Sequence, residues 1–162
     1  MSTSPTQKVA VLPTEPAVLH MICGKIGAGK STLAKRLAQA PSTVRISEDD
    51  WLSRLFPNEI QTVADYARCA ALLRHAMAEH VRALLCAGVS VVLDFPANTP
   101  TTRSWARSVF ESASAAHRLH VLNTPDEVCK ARLRARNQSG EHPFETSGAQ
   151  FDLISSHLVL AP

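Results

Sequence analysis

The stretch Gly24-Lys25-Ile26-Gly27-Ala28-Gly29-Lys30-Ser31-Thr32 decides how the rest of the 162-residue chain is interpreted. It fits G-x-x-x-x-G-K-[ST], the phosphate-binding P-loop, and we predict that all nine residues line a nucleotide site. The glycines allow positive φ and a close approach of backbone to ligand, so the N–H groups of the loop can form a nest for anions. Lys30 is expected between the β- and γ-phosphates, and the Ser31 hydroxyl is expected to ligate Mg²⁺.

The residues on either side of this stretch supply the context that a P-loop needs. An apolar run of strand length, residues 18–23, precedes it, and residues 31–40 carry apolar side chains at helical spacing before Pro41. The start of that helix directs its positive dipole end and its free N–H groups at the phosphates. A glycine-rich turn that binds nothing is the alternative, but such a turn does not require the Gly-Lys-Ser triplet.

Length and composition limit the class of protein. The chain is long enough for one domain with a core, and we expect a flexible tail over residues 1–16 before a domain over residues 17–162. The net charge of +3 suits an anionic ligand but does not by itself indicate nucleic acid. The four cysteines lack the spacing of a zinc site. Since no membrane-spanning run or signal peptide is recognisable, we expect no membrane contact and a cytoplasmic location.

Carboxylates follow two of the predicted strands. Residues 42–47 form a strand of alternating character that ends in Glu48-Asp49-Asp50, and the β-branched run of residues 89–93 predicts a central parallel strand followed by Asp94. Ligands of open α/β sheets bind at the carboxyl ends of the strands. Asp50 is therefore a candidate for chemistry, or else a cap of the helix that follows. Asp94 has the position of a Walker B acid near Mg²⁺, with a turn or capping role as the alternative.

Two predicted helices carry further candidates for function. Residues 61–87 have helical periodicity and end at Gly88, a suitable C-cap. Thr99 is predicted to cap a second helix that runs to about residue 116, and Arg103 in its first turn opposes the helix dipole. We therefore expect an anionic partner or the substrate beside Arg103, with a solvated arginine as the alternative.

An arginine-rich helix follows an edge strand over residues 118–123. The stretch Thr124-Pro125-Asp126-Glu127 predicts a capping box at the start of this helix, with its threonine as the N-cap. Arg132 and Arg136 are four residues apart and share one face of the helix. They are candidates for contact with a transferred phosphate, or else they are solvated on an exposed face.

Taken together, the P-loop, Asp50, Asp94 and the arginine-rich helix resemble those of the small P-loop kinases. Groups of this kind include chloramphenicol phosphotransferase, the gluconate kinases, the zeta toxins and predicted kinases described as AAA-domain ATPases. The resemblance implies a P-loop NTPase three-layer α/β sandwich, in which helices cover both faces of a parallel sheet of four to five strands. A fifth strand is usual near the C-terminus of such kinases, and this chain ends about where it would begin.

The same resemblance implies roles for single residues. Lys30 and Ser31 match the ligands of the phosphates and of Mg²⁺, and Asp94 matches the acid that follows the third strand. Asp50 matches the carboxylate that takes the proton from the acceptor hydroxyl. A short lid around residues 132–143 matches the segment whose arginines close over the transferred phosphate.

We therefore predict a phosphotransferase that binds ATP and Mg²⁺ and transfers the γ-phosphate to a hydroxyl of a small molecule. The predicted catalytic residues are Lys30, Asp50, Arg132 and Arg136, and the acceptor is expected near Asp50 and Arg103. Phosphoryl transfer needs charge neutralisation and in-line positioning more than covalent help, and these residue types supply both.

Two other activities are compatible with the same motifs. One is an ATPase or an NTP-dependent switch, in which water is the acceptor. The other is a polynucleotide 5′-hydroxyl kinase, which needs a basic groove with aromatic platforms. Aromatic residues make up only 5% of the chain, which argues against nucleic acid as a partner. The sequence does not identify the acceptor, and it is compatible with a monomer or a homodimer.

Overall fold

The structure, a computed structural model, describes residues 15–140, 146–156 and 158. In this part of the chain, strands and helices alternate as the sequence predicts. The elements are β1 (Val18–Gly24), α1 (Lys30–Leu37), β2 (Thr43–Ser47), α2 (Glu48–Leu55), α3 (Val63–Cys86), β3 (Ser90–Pro96), α4 (Pro100–Ser112), β4 (Ala116–Leu122), α5 (Asp126–Ser139) and α6 (Gly148–Ser156). None of these helices combines the length and the apolar character that crossing a membrane requires.

The four strands are parallel and form one sheet in the order β2-β3-β1-β4. β1 and β3 lie in the middle, and most of their side chains are buried, as their continuous apolar runs predict. β4 lies at an edge, in agreement with its alternating sequence. Whether a fifth strand forms at the C-terminus stays open, because residues 157 and 159–162 lie outside the described residues.

Helices cover both faces of the sheet, which confirms the predicted three-layer architecture. On one face, Ala34 of α1 packs with Ile22 and Val92, which point to this side from β1 and β3. On the other face, α3 and α4 pack against the alternate side chains of the same two strands in the main core. The central strands are therefore shielded from water on both sides, and their carboxyl ends meet at one edge of the sheet.

The long helix α3 has defined ends. Thr62 caps it in a reciprocal capping box with Asp65, which explains why it begins at Val63 rather than at residue 61. Beyond its last turn, Gly88 has a φ of 82°, the left-handed conformation that favours glycine after a helix. The chain then turns directly into β3.

Two element boundaries differ from the sequence-based predictions. β3 continues to Pro96, which pairs with Ile22, so Asp94 lies within the strand rather than after it. α4 ends at Ser112 rather than near residue 116, because Ala116 already pairs with Val18 at the start of β4. Both differences lengthen the sheet at the expense of the neighbouring loop or helix.

The predicted capping box at Thr124 is wrong. Pro125 occupies the N-cap position of α5, and no side chain caps the helix. The Thr124 hydroxyl instead donates a hydrogen bond to the Ala28 carbonyl oxygen at 2.9 Å, because β4 ends beside the P-loop. Residues 1–14 of the predicted tail and residues 141–145, which include the end of the predicted lid, lie outside the described residues.

Candidate active site

The P-loop joins β1 to α1 at the carboxyl edge of the sheet. Gly27 and Gly29 have φ values of 77° and 102°, the left-handed region in which glycine avoids the strain of a side chain. A Cβ atom on Gly27 would lie 2.7 Å from the Cys129 carbonyl oxygen of α5. Gly27 is therefore required both for the turn of the loop and for the close approach of α5 to it.

Side chains from distant parts of the chain hold the P-loop by its backbone. Asn98, after β3, accepts a hydrogen bond from Gly24 N and donates one to Gly24 O, both at 2.9 Å. Thr124 binds the Ala28 carbonyl oxygen, as described above, and Arg132 Nη1 donates to Gly27 O at 3.2 Å. These contacts fix the carbonyl groups of the loop and leave N–H groups for an anion.

Lys30 is half-buried at the start of α1. Its Nζ donates to Gly24 O at 2.6 Å and to Lys25 O at 2.7 Å. Burial lowers the pKa of Lys30 to about 8, and the nearby carboxylates of Asp94 and Asp49 act in the opposite direction. An ammonium group with so little water around it gains much from an anionic ligand, which is the expected property of a phosphate-binding lysine.

Ser31 and Asp94 supply oxygen atoms at one point of the site. The Ser31 hydroxyl donates to Asp94 Oδ1 at 3.1 Å, and the Asp94 side chain is only 7% exposed. Arg45 of β2 donates to the other carboxylate oxygen, Oδ2, from Nε at 3.0 Å and from Nη2 at 2.5 Å. A hydroxyl and a carboxylate are the hard ligands that Mg²⁺ prefers, so this pair fits the metal that the P-loop implies.

The acidic stretch after β2 forms the first turn of α2, and its three side chains point in different directions. Ser47 caps the helix by accepting a hydrogen bond from Asp50 N at 3.3 Å. The Asp49 carboxylate lines the cleft beside the P-loop. Burial lowers the pKa of Lys30 and of Arg136, and the charge of Asp49 opposes both shifts. Asp50 is not among the described residues that line this cleft. Its side chain is 58% exposed and lies 3.8 Å from Arg45.

Glu48 is a buried carboxylate that the sequence did not single out. Its side chain is 2% exposed, and its Oε1 accepts a hydrogen bond from the Tyr66 hydroxyl of α3. Its Oε2 lies 3.8 Å from Arg74 Nη1 and accepts no hydrogen bond from the described residues. Burial raises the pKa of Glu48 to about 7, although the Tyr66 hydrogen bond and Arg74 favour the charged form.

These groups share one cleft of about 750 Å³. One half is lined by the P-loop with Ser31, by Asp94 and Asn98, and by Arg132 and Arg136 of α5. The other half is lined by α2, the loop before α3 and the first turns of α3, and we call it the acceptor half. Its lining residues are Glu48, Asp49, Ile60, Gln61, Thr62, Val63, Tyr66, Ala67, Ala70 and Arg74.

The predicted arginines have different surroundings. Arg132 and Arg136 both line the cleft, and Arg136 Nε is buried without a hydrogen-bond partner among the described residues. Burial lowers the pKa of Arg136, and the charge of Asp49 opposes this shift. Arg103 donates from Nη1 to the Ala97 carbonyl oxygen at 3.0 Å and is not among the described lining residues.

A P-loop at the carboxyl edge of a parallel sheet, with a strand carboxylate against its serine, defines a P-loop kinase-like α/β protein. A family model described as "AAA domain" matches residues 19–160, and the chain belongs to this family. The match confirms the resemblance to small P-loop kinases that the sequence indicates. A search of curated proteins gives no match.

Solved structures share this fold at low sequence identity. The Mycobacterium tuberculosis APS kinase CysC in complex with AMPPNP and APS is 24% identical, with a TM-score of 0.57 over 80% of this chain and 77% of that one. A protein from Chloroflexus aurantiacus that has been proposed to be a kinase is 18% identical, with a TM-score of 0.65 and coverages of 91% and 83%.

The Pnkp1/Rnl/Hen1 RNA repair complex contains a chain of the same fold. That chain is 20% identical to this one, and the TM-score is 0.61. The match covers 88% of this chain but 44% of the other, so the present protein spans less than half of its length. These similarities concern the fold.

Proposed function

We propose that this protein is a kinase that transfers the γ-phosphoryl group of ATP to a hydroxyl of a small molecule. The observation that carries the proposal is one cleft that is lined by the P-loop, by the Asp49 carboxylate and by two arginines of α5, Arg132 and Arg136. Phosphoryl transfer requires cations around the phosphates and an acceptor held in line, and the two halves of this cleft supply these parts.

The P-loop and Lys30 would bind the β- and γ-phosphates. Ser31 and Asp94 would hold Mg²⁺, and the bound ion would neutralise part of the phosphate charge. Arg45 supports this role, because it occupies Oδ2 of Asp94 and leaves Oδ1 directed at Ser31. Arg132 and Arg136 would stabilise the charge that spreads over the equatorial oxygens in the transition state.

Asp49 has the best position for a general base. Its carboxylate lies close enough to Lys30 and Arg136 to shift the pKa of both groups, and it lines the cleft. In the proposed step the acceptor oxygen bonds to the γ-phosphorus, the bond from that phosphorus to ADP breaks, and the hydroxyl proton passes to Asp49. The sequence-based prediction of this role for Asp50 is the competing assignment, and paired variants can separate the two.

A polynucleotide 5′-hydroxyl kinase is a second candidate, since a chain of an RNA repair complex has the same fold. The two carboxylates that line the acceptor half, Glu48 and Asp49, favour an uncharged or cationic acceptor over a polyanion. An assay with a 5′-hydroxyl oligonucleotide distinguishes this candidate from a small-molecule kinase, and ADP release that no acceptor stimulates would indicate an ATPase.

The proposal is tested by ADP release from Mg-ATP in the presence of a panel of hydroxylated metabolites and antibiotics. We expect stimulation by at least one compound, with a phosphorylated product. Lys30→Ala should lower both ATP affinity and turnover by a factor of about 10² or more, because the phosphate charge is no longer neutralised. Lys35→Ala, an exposed lysine on the same helix, is the matched control. Equal ATP affinity in the wild type and Lys30→Ala would refute the site.

A further inference from the structure

Glu48, in the acceptor half, has a carboxylate oxygen whose hydrogen-bonding capacity is unused by the described residues. One of its carboxylate oxygens is satisfied by Tyr66, but Oε2 is buried and accepts no hydrogen bond from the described residues. Arg74 lies 3.8 Å from this oxygen, which is close enough for an ion pair but too far for a hydrogen bond. A buried carboxylate oxygen without a donor is costly, and Glu48 lines the cleft. A small rotation of this side chain that brings Oε2 to the cleft wall would let a ligand donor stabilise it.

The surface beside Glu48 is apolar and has room for a ligand. Val63, Ala67, Ala70 and Arg74 recur at spacings of three and four residues, so they share one face of α3, and this face lines the cleft. The short side chains of the two alanines leave space beside the helix, and Ile60, in the loop before α3, adds another apolar side chain to the lining. This surface suits the hydrocarbon body of a small molecule.

The charged side chains that line the cleft are distributed unevenly between its two halves. The half that faces the phosphates is lined by three cations, Lys30, Arg132 and Arg136, and by one carboxylate, Asp94, which is paired with Arg45. Glu48 and Asp49 line the acceptor half. Among the described residues that line the acceptor half, the basic one is Arg74, and it is paired with Glu48. Among the described residues, an acceptor with its own phosphate or carboxylate would therefore meet two acidic side chains there and no cation other than the paired Arg74.

We propose that Glu48 Oε2 binds a second hydrogen-bond donor of the acceptor, a hydroxyl or an ammonium group, while the apolar face of α3 holds its hydrocarbon body. The acceptor class is therefore a neutral or cationic alcohol that carries a second donor. This inference rests on the proposed kinase function, and it adds a specificity-determining residue that the catalytic step does not use. Tyr66 and Arg74 hold this carboxylate in place through a hydrogen bond and an ion pair.

Four cyclohexane derivatives test the inference, since they share a ring and a hydroxyl and differ in the second group. The probes are trans-4-aminocyclohexanol, trans-cyclohexane-1,4-diol, cyclohexanol and trans-4-hydroxycyclohexanecarboxylate. Dissociation constants are measured by calorimetry with Mg-AMPPNP present, and transfer is measured with Mg-ATP. An assay pH of 8 keeps Glu48 ionised, because burial raises its pKa to about 7.

We expect the amine and the diol to bind about tenfold more tightly than cyclohexanol, and the carboxylate to bind most weakly. Glu48→Gln should reduce the preference for the amine and relieve the discrimination against the carboxylate. Glu59→Gln, the same change at an exposed position outside the described lining, should leave the ranking unchanged. The ranking in the wild-type protein tests the inference even if Glu48→Gln does not fold.

The outcomes separate the inference from the proposed function. Equal binding of cyclohexanol and the diol, no binding of any probe, or an unchanged ranking in Glu48→Gln would overturn the role of Glu48. The expected ranking without phosphorylation of any bound probe would support the Glu48 site and count against the kinase activity. Phosphorylation with no preference for a second donor would support the kinase and overturn the inference.

Discussion

The two halves of the cleft are built in different ways. In the half lined by the P-loop, which we call the phosphate half, backbone groups of the loop would supply the ligands, and Asn98, Thr124 and Arg132 hold that loop by its carbonyl and N–H groups. In the acceptor half, side chains of α2 and α3 supply the polar groups, and small residues leave space between them. Backbone ligands suit a group that all nucleotides share, whereas side-chain ligands change with single substitutions. Nucleotide binding and acceptor choice should therefore be separable by mutation.

Among the substitutions that compare the two halves, we expect the largest effect on turnover at Arg136. Its half-buried side chain lines the same cleft as the P-loop, so Arg136→Ala should lower kcat by a factor of about 10³ and weaken ATP binding by much less. Arg134→Ala, an exposed arginine on the same helix, is the control. Single-turnover kinetics and nucleotide titration measure the two quantities, and wild-type turnover in Arg136→Ala would leave this arginine without a catalytic role.

Glu48, in the acceptor half, should make the stability of the folded protein depend on pH. The pKa of Glu48 rises from 4.5 to about 7 on folding, because burial outweighs its hydrogen bond to Tyr66 and its pairing with Arg74, and Asp49 and Asp94 raise it further. Between these values the native state keeps a proton that the unfolded chain has lost. The free energy of unfolding should therefore fall by about 3 kcal/mol as pH rises from 4.5 through 7.

Urea denaturation at several pH values measures this contribution. Glu48→Gln removes the titrating group, so its unfolding free energy should be flatter than that of the wild type over the same pH interval. Parallel curves for the two proteins would mean that Glu48 has an ordinary pKa and is not buried as a carboxylate in the folded protein.

A smaller effect tests the close contact of the phosphate half with α5. Gly27→Ala places a methyl group 2.7 Å from the Cys129 carbonyl oxygen at a φ of 77°, so both strain and a collision are expected. Gly140→Ala has a similar φ of 66°, and no described atom lies within 4 Å of the added Cβ. Thermal denaturation should show a loss of about 1 kcal/mol for Gly140→Ala from strain alone, and a larger loss for Gly27→Ala. Equal losses would argue against tight packing of α5 on the loop.

The sequence predicts the phosphate half better than the acceptor half, for a physical reason. The P-loop and the central strands are local patterns, since glycine spacing and continuous apolar runs depend on few neighbours. The side chains that hold the site come from far away in the chain. Asn98, Arg45 and Thr124 reach their partners across 74, 49 and 96 residues, and no local pattern signals these contacts.

A sequence pattern also does not predict which of several neighbouring acidic residues lines the cleft. Successive residues in a helix point about 100° apart, so the start of α2 decides which of Glu48, Asp49 and Asp50 faces the cleft. The Ser47 cap sets that start, and it turns Glu48 to the core, Asp49 to the cleft and Asp50 to solvent. Glu48 was missed because an acidic residue at a helix start is usually exposed.

The most direct test of separate halves compares Asp49→Asn with Asp50→Asn, two identical changes at adjacent positions. Affinity for a fluorescent ATP analogue and the rate of phosphoryl transfer to an acceptor are measured for both variants. We predict that Asp49→Asn binds the nucleotide as the wild type does and loses transfer by a factor of about 10² or more, whereas Asp50→Asn retains both. Loss of transfer in Asp50→Asn alone, or parallel loss of nucleotide binding and transfer in Asp49→Asn, would contradict the account.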